Sequence, residues 1–280
     1  MIIIQIRRPL LIILMFVVAI SFIITNNTKN DEELNDKIIT IQGVVKGKIE
    51  KKRYNQYKVG VFLINDYTKN KNLKIGQKVN ITGKFKSLDK MKYDDFDYGR
   101  YIKSTGYKGI VYINNYKIID KNKLYSLIGE IKFYISKTYR YLYKKNSDFI
   151  NSILLAEVEN LTEEQKEIFT RTGTSHVISI SGLHTGILCV IISFLLRGIN
   201  KLYKLLILSI FITLYCIMVG ASPSIIRSIA FVMIFYLSIF IDRKKDGISA
   251  LSLIGIILIM NNPYVIYNVS FQLSFLATLS

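Results

Sequence analysis

The sequence predicts an α-helical polytopic membrane protein that carries a small all-β barrel as an extracytoplasmic insert. Three observations predict it. Half of the 280 residues are hydrophobic, and they are clustered rather than spread. The stretch from 26 to 175 is polar, with a period-two pattern in its first part. Lys and Arg in the short links of the apolar region alternate so as to give one consistent orientation.

The first apolar run, residues 9–24 (PLLIILMFVVAISFII), carries no charge. Arg7 and Arg8 precede it and no A-x-A-like cleavage site follows Ile24, so a retained anchor over 1–25 is expected. Further apolar runs occupy 177–196, 205–220, 225–241 and 248–260. A spanning helix needs about 20 apolar residues, or about 17 at the short end, so several runs reach that length only with their flanks. Arg7 and Arg8 put the N-terminus in the cytoplasm and residues 26–175 outside. Arg197, Lys201 and Lys204 mark the next inside link, and Arg243, Lys244 and Lys245 the one after. The outside links, 221–224 and 261–263, are uncharged.

The net charge of +18 is uneven: residues 26–147 hold 27 Lys/Arg against 12 Asp/Glu, and 148–175 hold 2 against 6. A basic insert points to anionic partners, nucleic acid or lipid headgroups. AT-rich coding, which favours Lys, Asn, Ile and Tyr, gives the same composition. Tyr57, Val59, Val61 and Leu63 alternate with Lys58, Gly60 and Phe62, and Val79, Ile81 and Phe85 alternate with polar residues. With 38–50, 107–113 and 116–119 this predicts five strands within 35–120, suiting an OB-like barrel; an SH3-like barrel reads the same way.

Residues 121–173 change to a helical period. Leu124, Leu127, Ile128, Ile131, Ile135, Thr138 and Leu142 share one face. Such a basic amphipathic helix suits either the bilayer surface or the barrel wall. Thr162 to Gln165 reads as a capping box opening a short acidic helix that stops near Gly173.

Both histidines of the chain, His176 and His184, fall in TSHVISISGLHTGIL (174–188). Ser175, Ser179, Gly182 and Gly186 lie on one helical stripe, a pattern for close helix packing or for a locally opened helix facing a cavity. Ser181 and His184 are one turn apart, which admits an intramembrane serine hydrolase. No acid lies in the apolar runs to orient the imidazole, and zinc wants three or four ligands, so no metal site is expected. Cys189 and Cys216 sit in apolar runs as packing residues. Ser222 and Pro223 form a helix start. Arg227 follows one turn later as the only basic residue within the later apolar runs, either facing a cavity or snorkelling to headgroups.

Four stretches in order carry a family resemblance: FDYGRYIKSTGYKG (96–109), FTRTGTSHVISISGLHTGIL (169–188), GASPSIIRS (220–228) and NNPYVIYNVSFQLSFLAT (261–278). The chain resembles the ComEC-type DNA-internalisation competence proteins. The resemblance implies a multi-pass protein of the bacterial cytoplasmic membrane that admits single-stranded transforming DNA, with an extracytoplasmic OB-like domain and a polytopic competence domain over 174–280. It implies single-stranded DNA, membrane lipids and other competence-machinery proteins as partners, with a homo-oligomer possible. His176, Ser179, Ser181, Gly182, His184, Pro223, Arg227 and Gln272 become candidates for the DNA path, and Ser175 and Gly186 for helix packing. No catalytic residue, metal or cofactor is expected. Relatives continue into further helices and often a metallo-β-lactamase-like domain, so the chain is expected to be a fragment and any nuclease activity to lie beyond it. A hydrolase using Ser181 and His184, and a membrane-anchored nucleic-acid-binding module, are the rival readings.

Overall fold

The computed structural model describes residues 8–28, 34–51, 53–69, 72–89, 91–93, 96–174, 182–220, 223–240 and 246–279. After an apolar helix α1 (Pro9–Asn27), the chain builds strands β1 (Ile38–Glu50), β2 (Asn55–Val59), β3 (Phe62–Asp66) and β4 (Gln77–Lys86). A two-stranded excursion, β5 (Lys92–Tyr93) and β6 (Phe96–Asp97), leads into helix α2 (Tyr98–Ser104) and strand β7 (Gly109–Lys121). The long strands close in the order β1-β2-β3-β7-β4, and β4 returns to β1. All pairings are antiparallel except β3 with β7. This is an OB-like barrel.

Five barrel strands are found where five were expected, but their partition differs. The alternation over 57–63 is a hairpin rather than one strand. Gly60 takes φ +58, a left-handed value that glycine adopts without steric cost, and Val59 pairs back to Phe62. Val61 at the tip is exposed. Conversely, 107–113 and 116–119 merge into β7. Thr82 pairs with Asn115 and Gly83 with Ile113, so Asn114 is an extra residue in a bulge and not part of a turn. A Cβ on Gly83 would strike the Tyr112 carbonyl, which shows how tightly β4 and β7 approach there.

Inside the barrel, Val45, Tyr57, Val59, Ile64, Val79, Ile81, Phe85 and Val111 pack together, and Leu73 plugs the interior from the β3–β4 loop. Outside, Leu63 and Ile110 face the other way and are covered by Leu88, Met91 and Ile102 of the excursion. Asp97 caps α2 by accepting from the Arg100 amide.

Asn122 caps helix α3 (Lys123–Tyr143), and its own amide donates to the Gly76 carbonyl at 2.7 Å. The helix lies on the barrel, with Gly129 against Ile75. Ile128 and Ser136 are its buried residues, while Leu124, Leu127, Ile131 and Leu142 stay exposed. Of the two placements open to this helix, the structure shows the barrel contact. Helix α4 (Ser147–Leu155) and a 3-10 turn at Val158–Asn160 follow. Helix α5 (Glu163–Arg171) opens on the Thr162–Gln165 capping box. It closes on Gly173 at φ +69, where the Gly173 and Thr174 amides donate to Thr170 and Phe169. That is the reciprocal pattern of a Schellman cap.

The rest is helical: α6 (Gly182–Leu195), α7 (Lys201–Val219), α8 (Pro223–Phe240), α9 (Gly247–Asn261), a 3-10 turn at Pro263–Tyr267, and α10 (Val269–Leu279). Among the described residues, α1 and α7 are long and apolar enough to cross a membrane, by length and composition. The apolar stretches 184–195, 225–238 and 247–261 are shorter. At Gly255 these helices meet closely, since a Cβ there would lie 2.8 Å from Phe275 and 2.9 Å from Leu14.

Candidate nucleic-acid interface

On the barrel wall three tyrosines form a ladder. Tyr54 precedes β2, Tyr67 follows β3, and Tyr112 lies on β7 beside it. Ring centroids are 4.8 Å apart for Tyr54–Tyr67 and 5.8 Å for Tyr67–Tyr112. The parallel β3–β7 register, with Asn65 opposite Tyr112, is what brings the third ring into line. Tyr67 is 55% exposed, so its ring is open to a ligand. Lys51 lies 5.1 Å from the Tyr54 ring centre and donates to its hydroxyl at 3.1 Å. Burial pulls the Lys51 ammonium down, but the Tyr54 hydroxyl and the nearby Glu159 outweigh this and hold it above the ordinary lysine range. A row of tilted, neighbouring tyrosine rings with a flanking cation on the β2–β3 side of an OB-like barrel can take unstacked bases and a phosphate backbone.

Next to the ladder is an open cleft of about 320 Å³ lined by Lys48, Glu50, Asn55, Lys69 and Asn72. Lys48 pairs with Glu50 at 2.6 Å and donates to Asn72 at 3.4 Å. The insert's lysines are not equivalent. Burial lowers Lys58, against an opposing pull from Glu159, and burial likewise lowers Lys132, against Glu157 4.0 Å away. The acidic turn thus takes up part of the basic charge that the composition advertises.

Tyr54 and Tyr67 flank the β2–β3 hairpin and so reach the ladder, but other tyrosines of the insert do not. Tyr57 is fully buried in the barrel core, because it faces inward between Gln56 and Lys58 on β2. Tyr98 and Tyr107 pack on the satellite core, where burial pushes the Tyr107 hydroxyl up to about 12. Tyr112 has no sequence motif to mark it. Its signal was its outward place between the inward Val111 and Ile113.

Ser175, His176, Ser179 and Ser181 lie outside the described residues. Gly182 opens α6, and His184 is half-buried in its first turn. A Cβ on Gly186 would meet nothing within 4 Å, so the close packing expected there is not made among the described residues. Pro223 is the first residue of α8. Arg227 is buried, and its Nη1 donates to the Ser270 carbonyl in the first turn of α10 at 2.9 Å. A guanidinium has five donors, and this bond uses one. Gln272 donates through Nε2 to the Ile266 carbonyl at 2.8 Å and so closes the turn before α10. Arg227 and Gln272 therefore meet the same helix start, whereas no described contact joins them to His184.

Residues 153–280 match the family described as Competence protein. The resemblance to the ComEC type holds. The curated ComE operon protein 3 of Bacillus subtilis (strain 168) is 26% identical over 162 residues, covering 57% of this chain and 21% of that protein. An uncharacterized protein of Aquifex aeolicus (strain VF5) is 30% identical over 121 residues, covering 43% of this chain and 29% of that one. The chain thus spans less than a third of the length of either relative. Among solved structures, aspartyl tRNA synthetase from Entamoeba histolytica matches 68% of this chain and 44% of its own, at 11% identity and TM-score 0.24. At that score the likeness carries no argument.

Proposed function

We propose that this ComEC-type chain is a membrane channel component for uptake of single-stranded DNA in competence. The barrel receives the strand outside, and the helices from 174 onward form part of its path. The observation that carries the reading is the Tyr54–Tyr67–Tyr112 ladder with Lys51 beside it, on a barrel joined to a Competence-matching helical region.

Membrane insertion is supported by how α1 distributes its residues. Those buried are Leu14, Ser21 and Thr25, while Met15, Phe16, Ile20, Phe22 and Ile23 are exposed. In water that surface would cost about 25 cal/mol per Å². In lipid it faces a solvent of its own kind, and the polar side chains are satisfied inside. Sidedness has support at both ends of α1. Arg8 pairs with Asp246 at 3.7 Å, beside the predicted inside link, while Asn26 at the other end accepts from Arg100 of α2 at 3.5 Å. A cysteine introduced at the exposed Lys117 should label from outside in intact cells, and one at Lys201 should not. Labelling at 201 would reverse the orientation.

The DNA reading is tested on the purified chain in detergent with labelled oligonucleotides. Tyr54→Ala with Tyr67→Ala should weaken single-stranded DNA binding at least about tenfold, since each base–aromatic stack contributes about 1–3 kcal/mol. The loss should be alike for all sequences and leave the salt dependence unchanged. Lys51→Ala should instead reduce the slope of log affinity against log salt by about 0.7. Absence of binding by the parent chain at low salt would leave the barrel as a structural cap.

A further inference from the structure

Two of the four stretches that carry the resemblance, FDYGRYIKSTGYKG and NNPYVIYN, meet in the structure. Helix α2 of the barrel excursion ends against the turn between α9 and α10. The Asn262 side chain donates through Nδ2 to the Lys103 carbonyl at 2.8 Å, and Asn268 donates to Ser104 Oγ at 3.3 Å. Both residues also organise their own segment. Asn262 Oδ1 accepts from the Tyr264 amide at 3.1 Å, and Asn268 Oδ1 accepts from the Phe271 amide at 3.2 Å. Each amide group thus divides its work, with its oxygen starting a helical turn and its nitrogen reaching across to α2. Ser104 is fully buried, and its hydroxyl is satisfied by donating to Tyr101 while accepting from Asn268.

The contact is reinforced on both flanks. Arg100 lies 4.9 Å from the Tyr267 ring centre and Lys103 lies 5.0 Å from that of Tyr264. From α1, Ser21 donates to the Pro263 carbonyl at 2.7 Å and Thr25 is hydrogen-bonded to the Tyr267 hydroxyl at 3.0 Å. Two residues past Asn268, the Ser270 carbonyl accepts from Arg227.

We propose that the 262–268 turn is a socket for the barrel, with Asn262 and Asn268 as positioning residues that hold α2 in register with the start of α10. Its purpose, delivering the strand from the barrel to the helices that carry Arg227, rests on the proposed function. The socket itself does not.

Asn→Asp separates the two halves of each side chain's work, because a carboxylate still caps a helix but cannot donate to a carbonyl or hydroxyl. In the full chain, with Cys189 and Cys216 replaced by Ala, Arg100→Cys and Tyr267→Cys should be joined in membranes by a short bismaleimide. Adding Asn262→Asp and Asn268→Asp should cut the yield at least fivefold while helix content stays the same. An unchanged yield in the Asp variant would overturn the socket, as would thiols that label singly yet never join in the parent. If the first cysteine pair prevents folding, Lys103→Cys with Tyr264→Cys gives the same readout. Oligonucleotide binding measured on the same samples reports separately on the DNA reading, since a joined pair without DNA binding would leave the socket standing and remove its purpose.

Discussion

Arg227→Ala should lower DNA uptake about tenfold or more per molecule of protein in the membrane. The guanidinium is buried near the start of α8 and bonded to the Ser270 carbonyl at 2.9 Å. A hydrogen bond involving a charged group contributes about 1.5–3 kcal/mol, so truncation loosens the contact between α8 and α10. It also removes the only basic side chain in the apolar runs after α1. Arg227→Lys should do less harm, because an ammonium can still donate to the carbonyl and keeps the charge, but it loses the planar fork that suits a phosphate. Uptake of labelled DNA by a complete protein containing this region, normalised to its membrane level, gives the measurement. Normal uptake per molecule with a reduced level would make Arg227 a packing device and remove it from the strand's path.

Gly76→Ala should cause a large loss of barrel stability, because it combines backbone strain with a backbone clash. Gly76 has φ +90, where an L side chain is strained, and a Cβ there would run into the backbone of Ser126, 2.6 Å from its Cα. Strain of about 1–3 kcal/mol adds to overpacking of similar size, because backbone cannot swing aside as the end of a side chain can. The first turn of α3 must then lift off the barrel, breaking the bond from the Asn122 amide to the Gly76 carbonyl. Gly60→Ala is the matched control. It has φ +58 but open space within 4 Å, so it bears strain alone. Thermal unfolding followed by tyrosine fluorescence should show a much lower midpoint for Gly76→Ala than for Gly60→Ala. Equal shifts would mean that the helix does not seat on the barrel as described.

What the sequence made legible were features whose cause is local. The capping box at Thr162 and the stop at Gly173 depend on residues within one turn, and both are found where the pattern puts them. Pro223 opens its helix for the same reason. Strand existence was readable from alternation, but strand limits were not. A glycine-led hairpin tip at 60–61 preserves the period of two across the reversal, and a bulge at Asn114 imitates a turn. Features that depend on distant pairing were not legible at all. Tyr112 joins the ladder through a parallel register with β3, and Asn262 and Asn268 bond to α2 across a long stretch of chain that no local pattern marks. The small-residue stripe points to close helix approach at Gly186, whereas among the described residues it occurs at Gly255, because a small residue permits contact without specifying which partner will come.

Strand β7 has a consequence for the order in which the insert can fold. It is the last of the barrel strands in the chain, yet it sits between β3 and β4. Until Gly109–Lys121 is available, β3 and β4 each end in a row of unpaired amides and carbonyls, a template for pairing with other chains. The helices can form from local contacts, but the barrel must wait for pairings spanning the whole β4–β7 excursion, and such non-local steps are slow. A nascent insert is therefore most exposed to misassembly just before β7 arrives. Closure then comes as one event that seals both edges, sets Tyr112 beside Tyr67, and presents the Asn122 amide to Gly76.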